Sequence, residues 1–252
     1  MVSLPDFDPN NPKEANDPDR INRLTTGVYE MGSTFKAFTL AMALDSGKTT
    51  LNSMWDTRTP LQYGRFRIHD DHPLGRAINT KEVFTYSSNI GAARIALSQG
   101  IEAHKAFLAK MGQLTRLRTE LPESASPILP RHWGELNTVT IAFGHGIAVA
   151  PLQAVMGIDA LVNGGYLIPP TFLKRTEADA MKLAKRVIKP ETSDKMRFLM
   201  RLNAEVGTAR KADVAGYYIG GKTGTAEKVI NGRYAKKKVL NAFTAIMPAD
   251  NP

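Results

Sequence analysis

The chain has 252 residues, 42% of them hydrophobic, enough for one large domain or two small ones with a sizeable core. It has no cysteine, which excludes disulfides, thiol catalysis and cysteine-ligated metal sites, and no apolar run of about eighteen residues that could span a bilayer. The net charge of +9 is scattered, with "KKK" at 236–238 as its densest run, and no zinc finger, RNP-type aromatic motif or long basic helix accompanies it, so it reads as a solvated face and not as a nucleic-acid site.

The opening "MVSLPDFDPNNP" lacks the basic start and apolar stretch of a secretion signal. Residues 5–22 are turn-rich and read as a surface loop. "STFKAFTLAMALDSG" predicts a helix from Ser33 to about Ser46, stopped by Gly47. Phe35, Phe38, Leu40, Met42 and Leu44 cover most of its circumference, as in a buried helix. "LQYGRFRIHDDHP" at 61–73 reads as a short β-hairpin or extended arm. Residues 80–100 read as a helix, a break near Ser87–Asn89 and a second helix ended by Gly100. Residues 114–136 are loop-like. A helix follows with Pro151 in its first turn and Gly164–Gly165 beyond its end. Another runs over 191–207, starting at Thr192 or Ser193 and stopping at Gly207. Two strand-like runs, "YYIGGKTGTAEKVI" and "YAKKKVLNAFTAIMP", then flank Asn231-Gly232, a strong hairpin signal.

Three short motifs carry chemistry. Ser33 and Lys36 lie three apart, so their side chains share one face of a helix. A serine hydroxyl is a poor nucleophile until a neighbour takes its proton. A lysine does so only as the neutral amine, which burial and nearby positive charge favour. Taken alone, the pair reads as an ordinary helix start, a capping serine with an exposed lysine. Ser87 and Asn89 place a hydroxyl and an amide at a helix break. Lys222, Thr223, Gly224 and Thr225 open a strand, where Gly224 permits close backbone approach and the hydroxyls and amine suit a carboxylate. A strand edge there can pair with a peptide-like substrate.

S-x-x-K, S-x-N and K-T-G in this order are the signature set of the penicillin-recognising serine enzymes. The chain resembles the transpeptidase domain of class B penicillin-binding proteins, and most of all the cell-division branch. The likeness runs through "LPDFDPNNP", "INRLTTGVYEMGSTFKAFTLAMAL", "IHDDHPLGRAINTKEVFTYSSNIGAARIA", "FGHGIAVAPLQ" and "VGTARKADVAGYYIGGKTGTAEK". Met31 departs from the proline usual before Gly-Ser.

The resemblance implies an α/β (mixed α+β) fold of the penicillin-binding protein and serine β-lactamase type, helix-rich with an antiparallel sheet. It implies Ser33 as acylated nucleophile, Lys36 as general base, Ser87 as proton relay and Asn89 as a partner of the substrate amide. Lys222 would support Ser87, and Thr223 and Thr225 would hold the substrate carboxylate beside Gly224. The backbone N–H groups of Ser33 and Thr225 would form the oxyanion hole. The implied substrates are peptidoglycan stem peptides, with β-lactam antibiotics as mimics and with no metal or organic cofactor. Divisome membrane proteins are the implied partners, and the inner membrane, facing the periplasm, is the implied location. Residues 1–252 are expected to be one transpeptidase domain cut at both ends, without membrane anchor or pedestal domain. Only two full strands of the sheet should remain, with an unpaired edge.

Two other readings stay open on the residues. One is a hydrolase, either a D,D-carboxypeptidase or a β-lactamase; a class A type β-lactamase uses a glutamate between the second and third motifs to activate a deacylating water, and Glu135 is the candidate. A non-catalytic penicillin sensor would carry the same three motifs. "HDDHP" at 69–73 has the composition of a metal site but no further ligand nearby in sequence, and reads as a structural arm.

Overall fold

The computed structural model describes residues 2–230 and 233–252. Helix α1 (Lys36–Asp45) is the centre of the molecule, and Lys36 through Leu44 are all buried. Such a helix needs apolar side chains on every side, as the sequence around Phe38, Leu40 and Met42 supplies. It packs against α2 (Thr80–Thr85), α3 (Asn89–Gln99), α4 (Ile101–Lys110), α6 (Pro151–Val162) and α8 (Pro190–Val206). The shorter α5 (Glu135–Ile141) packs on α3 and α4, and α7 (Glu177–Leu183) has no buried residue. Helices α4, α5 and α7 fall outside the predicted elements, although Thr176 and Asp179 form a helix-start signal at α7.

Among the described residues the strands pair in four antiparallel couples: β1 (Met54–Asp56) with β4 (Ala77–Asn79), β2 (Leu61–Tyr63) with β3 (Phe66–Ile68), β5 (Tyr166–Leu167) with β6 (Lys185–Arg186), and β7 (Gly220–Ile230) with β8 (Arg233–Ile246). The β2–β3 hairpin stands where the sequence places it. Only β7 and β8 are long among the described residues; their register runs from Gly220↔Ile246 to Glu227↔Val239 and shifts before Lys228. The expected Asn231-Gly232 turn lies outside the described residues. β7 rests on α8 at its start and on the turn that carries Ser33.

Two boundaries differ from expectation. Ser33 does not begin an α-helix: Gly32–Phe35 is a 3₁₀ turn, and α1 starts at Lys36. In a 3₁₀ turn residues i and i+3 eclipse, so Ser33 and Lys36 face one another more directly than on an α-helix. Helix α8 begins at Pro190, not at Thr192 or Ser193. Those two hydroxyls make tertiary bonds instead. Thr192 Oγ1 donates to Asp45 Oδ1 at 3.0 Å, and Ser193 Oγ accepts from the Gly164 N–H at 3.0 Å.

Candidate active site

Two separate segments meet at one amine, and a third reaches it through Ser87. Lys36 is fully buried, yet its Nζ has four oxygens around it: Ser33 Oγ at 2.8 Å, Ser87 O at 2.5 Å, Ser87 Oγ at 3.0 Å and Asn89 Oδ1 at 2.8 Å. Ser33 is half-buried, while every other residue from 31 to 40 is buried, so this hydroxyl is the exposed point of a closed segment. Burial, and then the charge of Lys222, push the Lys36 amine well below the usual lysine range, against smaller opposing effects of Asp70 and Asp71.

The break between α2 and α3 aims Ser87. Its backbone adopts φ 58°, the left-handed region a non-glycine residue seldom occupies, and the strain places both its carbonyl and its hydroxyl on Lys36. Ser88 caps α3 by accepting from the Gly91 N–H at 2.9 Å. The carboxylate of Asp70, in the "HDDHP" stretch, accepts from Ser88 Oγ at 2.7 Å and from the Ile90 N–H at 2.9 Å. Asp70 is thus committed to holding the break in place. His69 O accepts from Asn89 Nδ2 at 3.1 Å, which fixes the amide so that Oδ1 faces Lys36.

Strand β7 supplies the third side. Lys222 is fully buried and donates to Ser87 Oγ at 2.9 Å and to Thr223 O at 3.0 Å. Its ammonium sits 5.8 Å from the centre of the Phe84 ring. Burial lowers its pKa to about 7. Thr223 Oγ1 donates to Thr208 Oγ1 at 2.9 Å, and Thr225 Oγ1 lies 3.1 Å from Asn241 Oδ1.

Glycines let the parts approach. A Cβ on Gly224 would lie 2.3 Å from Met31 O, so the close approach that this glycine permits is to the Ser33 turn and not to a substrate backbone. Gly32, at φ 52°, would put a Cβ 2.4 Å from Thr225 O, which locks the Ser33 turn against Thr225. That contact brings the backbone of Ser33 beside that of Thr225.

All eight residues singled out in the sequence therefore lie in one cluster. Glu135 does not join them. It opens α5, accepts from Tyr63 Oη at 2.8 Å, and lines a surface pocket with residues 97 and 99–103 at the far end of α3. Asn89 is at the other end of that 11-residue helix, about 15 Å away along its axis. Sequence reasoning missed Asp70 as a holding group, and also Asn203 and Thr208. Asn203 had a readable signal. It falls on the apolar stripe Met196, Leu199, Met200 of α8, where a polar residue must find buried partners.

The profile of the family described as "Penicillin binding protein transpeptidase domain" matches residues 1–252. The probable peptidoglycan D,D-transpeptidase FtsI of Caulobacter vibrioides is 40% identical over 257 residues, covering 100% of this chain and 44% of that protein. The probable peptidoglycan D,D-transpeptidase PenA of Neisseria meningitidis is 34% identical over 255 residues, covering 100% of this chain and 43% of that protein. The chain thus spans less than half the length of these relatives. The apo transpeptidase domain of Burkholderia pseudomallei penicillin-binding protein 3 superposes with a TM-score of 0.84 at 30% identity, over 92% of this chain and 70% of that one. This chain belongs to the penicillin-binding protein transpeptidase family, with its mixed helix and antiparallel-strand fold.

Proposed function

We propose that this chain is the catalytic domain, over residues 1–252, of a peptidoglycan D,D-transpeptidase that crosslinks cell-wall stem peptides during division. The observation that carries the reading is the oxygen count around Lys36 Nζ. Ser87 O and Asn89 Oδ1 can only accept, so they take both N–H bonds of a neutral amine. The lone pair is left for a hydroxyl, and Ser33 Oγ, 2.8 Å away, is nearer than Ser87 Oγ at 3.0 Å, which takes the ammonium proton of Lys222. That is the arrangement of a general base on a nucleophile.

The reaction follows as two acyl transfers. Lys36 takes the Ser33 proton while Ser33 Oγ attacks the carbonyl between two D-alanines. The N–H groups of Ser33 and Thr225 hold the oxyanion; one such donor is typically worth about 3 kcal/mol. Ser87, held by Lys222, passes a proton to the departing D-alanine amine. Asn89 Nδ2 has a second N–H, with no acceptor among the described residues, for the substrate amide, and Thr223 and Thr225 receive the terminal carboxylate. The amine of a second stem peptide then attacks the acyl-serine and frees Ser33. A β-lactam enters by the same first step and stays on Ser33.

Relatives named as peptidoglycan transpeptidases support this substrate class. On this reading the site faces the periplasm, where peptidoglycan is crosslinked, beside inner-membrane proteins of the division machinery. Among the described residues no helix is long and apolar enough to cross a membrane.

A fluorescent penicillin followed by mass spectrometry tests the assignment. A persistent adduct on the peptide containing Ser33, absent from Ser33→Ala, is the expected result. Rapid loss of label would point to a hydrolase, and an adduct on another residue would sink the proposal.

A further inference from the structure

Thr223 is the hydroxyl nearest the motif lysine on β7, but its own proton is already engaged. It donates to Thr208 Oγ1 at 2.9 Å. Thr208 sits in the loop after α8, where its N–H also donates to Thr85 O at 3.2 Å. That loop is tied to the buried side chain of Asn203. Asn203 Nδ2 donates to Gly221 O at 2.7 Å, and Asn203 Oδ1 accepts from the Thr208 N–H at 3.1 Å and from Thr208 Oγ1 at 3.3 Å. One backbone carbonyl and one backbone N–H thus fix which end of the amide is oxygen. With Oδ1 facing Thr208, the Thr208 hydroxyl points its proton at Asn203 and its lone pairs at Thr223. The order of donation in the free protein is Thr223 to Thr208 to Asn203.

A substrate carboxylate only accepts, so Thr223 must turn its proton toward it. We propose that Thr208, oriented by Asn203, is a positioning residue that reverses this relay when the carboxylate arrives. Thr208 then swings its proton from Asn203 to Thr223, and Thr223 donates to the carboxylate. Asn203 Oδ1 keeps the Thr208 N–H throughout, so no buried acceptor is abandoned. The reversed chain also strengthens the Thr223 donor, because hydrogen bonds in series polarise one another. The inference rests on the assignment of Thr223 to the substrate carboxylate made above.

The test compares two thioesters of the same N-acyl-D-alanine on the full-length protein. One leaving group is thioglycolate, with a free carboxylate, and the other is its methyl ester. Thr208→Val keeps the shape and removes the hydroxyl. It should lower kcat/KM for the thioglycolate substrate about tenfold and change the methyl ester less than twofold. Thr208→Ser should restore the thioglycolate rate and leave the methyl ester unchanged. Equal losses on both substrates, or no loss on either, overturn the relay. Labelling of Ser33 by fluorescent penicillin separates the two readings. If Ser33 labels normally and the variants match the parent, the relay alone fails. If Ser33 never labels, the acyl-transfer reading fails and takes the relay with it.

Discussion

Lys36 and Lys222 stand on either side of Ser87 Oγ, 3.0 and 2.9 Å from it. Burial makes both titrate below ordinary lysines, and the charge of Lys222 lowers Lys36 further. Acylation needs the neutral form of Lys36, so its rate should climb with pH at values well below those of an ordinary lysine. Loss of the Lys222 proton near pH 7 should lower the rate in a second limb, because Ser87 loses its charged partner. Lys222→Met should abolish that second limb. It should also move the first limb to higher pH, since the charge of Lys222 is one cause of the lowered Lys36 pKa. A pH profile of penicillin acylation checks both shifts, and an unmoved acid limb would count against the pairing. Lys36→Ala should slow acylation about 10²- to 10⁴-fold, the usual range for a general base, with the fold intact by circular dichroism.

At the scale of elements, the site depends on how closely β7 lies against the Ser33 turn and on how firmly the α2–α3 break is held. Gly224→Ala would force a Cβ to 2.3 Å from Met31 O, so the strand and the turn must part. Overpacking of this kind typically destabilises by about 1–3 kcal/mol. A lowered denaturation midpoint together with slower acylation is the expected pair of outcomes. Asp70→Ala would leave Ser88 Oγ and the Ile90 N–H without their acceptor. The expected destabilisation is about 1–3 kcal/mol by urea titration, with reduced acylation because Ser87 and Asn89 flank that cap. The histidines and aspartates at 69–72 suggested a metal by composition. The fold instead spends one carboxylate on a helix start and one carbonyl on Asn89.

At the scale of the whole molecule, His104 reports on the packing of the helical core. It is 1% exposed, its Nδ1 has no partner among the described residues, and its ring meets Trp133 edge-on at 6.0 Å. Burial lowers its pKa to about 4 from an ordinary 6.5. Above pH 6.5 the ring is neutral in both the folded and unfolded states and contributes no pH dependence. As pH falls from 6.5 toward 4 the unfolded chain takes up the proton first, so stability drops across that window. The full span corresponds to about 3 kcal/mol. Thermal melts of the parent and of His104→Leu should diverge in slope between pH 6.5 and 4, and parallel slopes would refute the assignment.

Helices α4, α5 and α7 could not be read from the sequence, whereas α1, α2, α3, α6 and α8, a hairpin or arm at β2–β3, the long β7–β8 pair and all three motifs could. Each rests on local chemistry: apolar periodicity, a glycine stop, or a short motif with fixed spacing. What could not be read is whatever depends on residues meeting across the chain. Ser33 needed Gly144 as well as Gly32, because a Cβ at residue 144 would lie 1.9 Å from Gly32 O. Asn203, 0% exposed, shows its role only when Gly221 and Thr208 are beside it. The sequence by itself determined which groups could do acyl transfer. The tertiary structure alone decided that Lys36 is dry, crowded by oxygens and next to a second amine. Desolvation and short-range electrostatics belong to spatial neighbours, and spacing along the chain does not encode them.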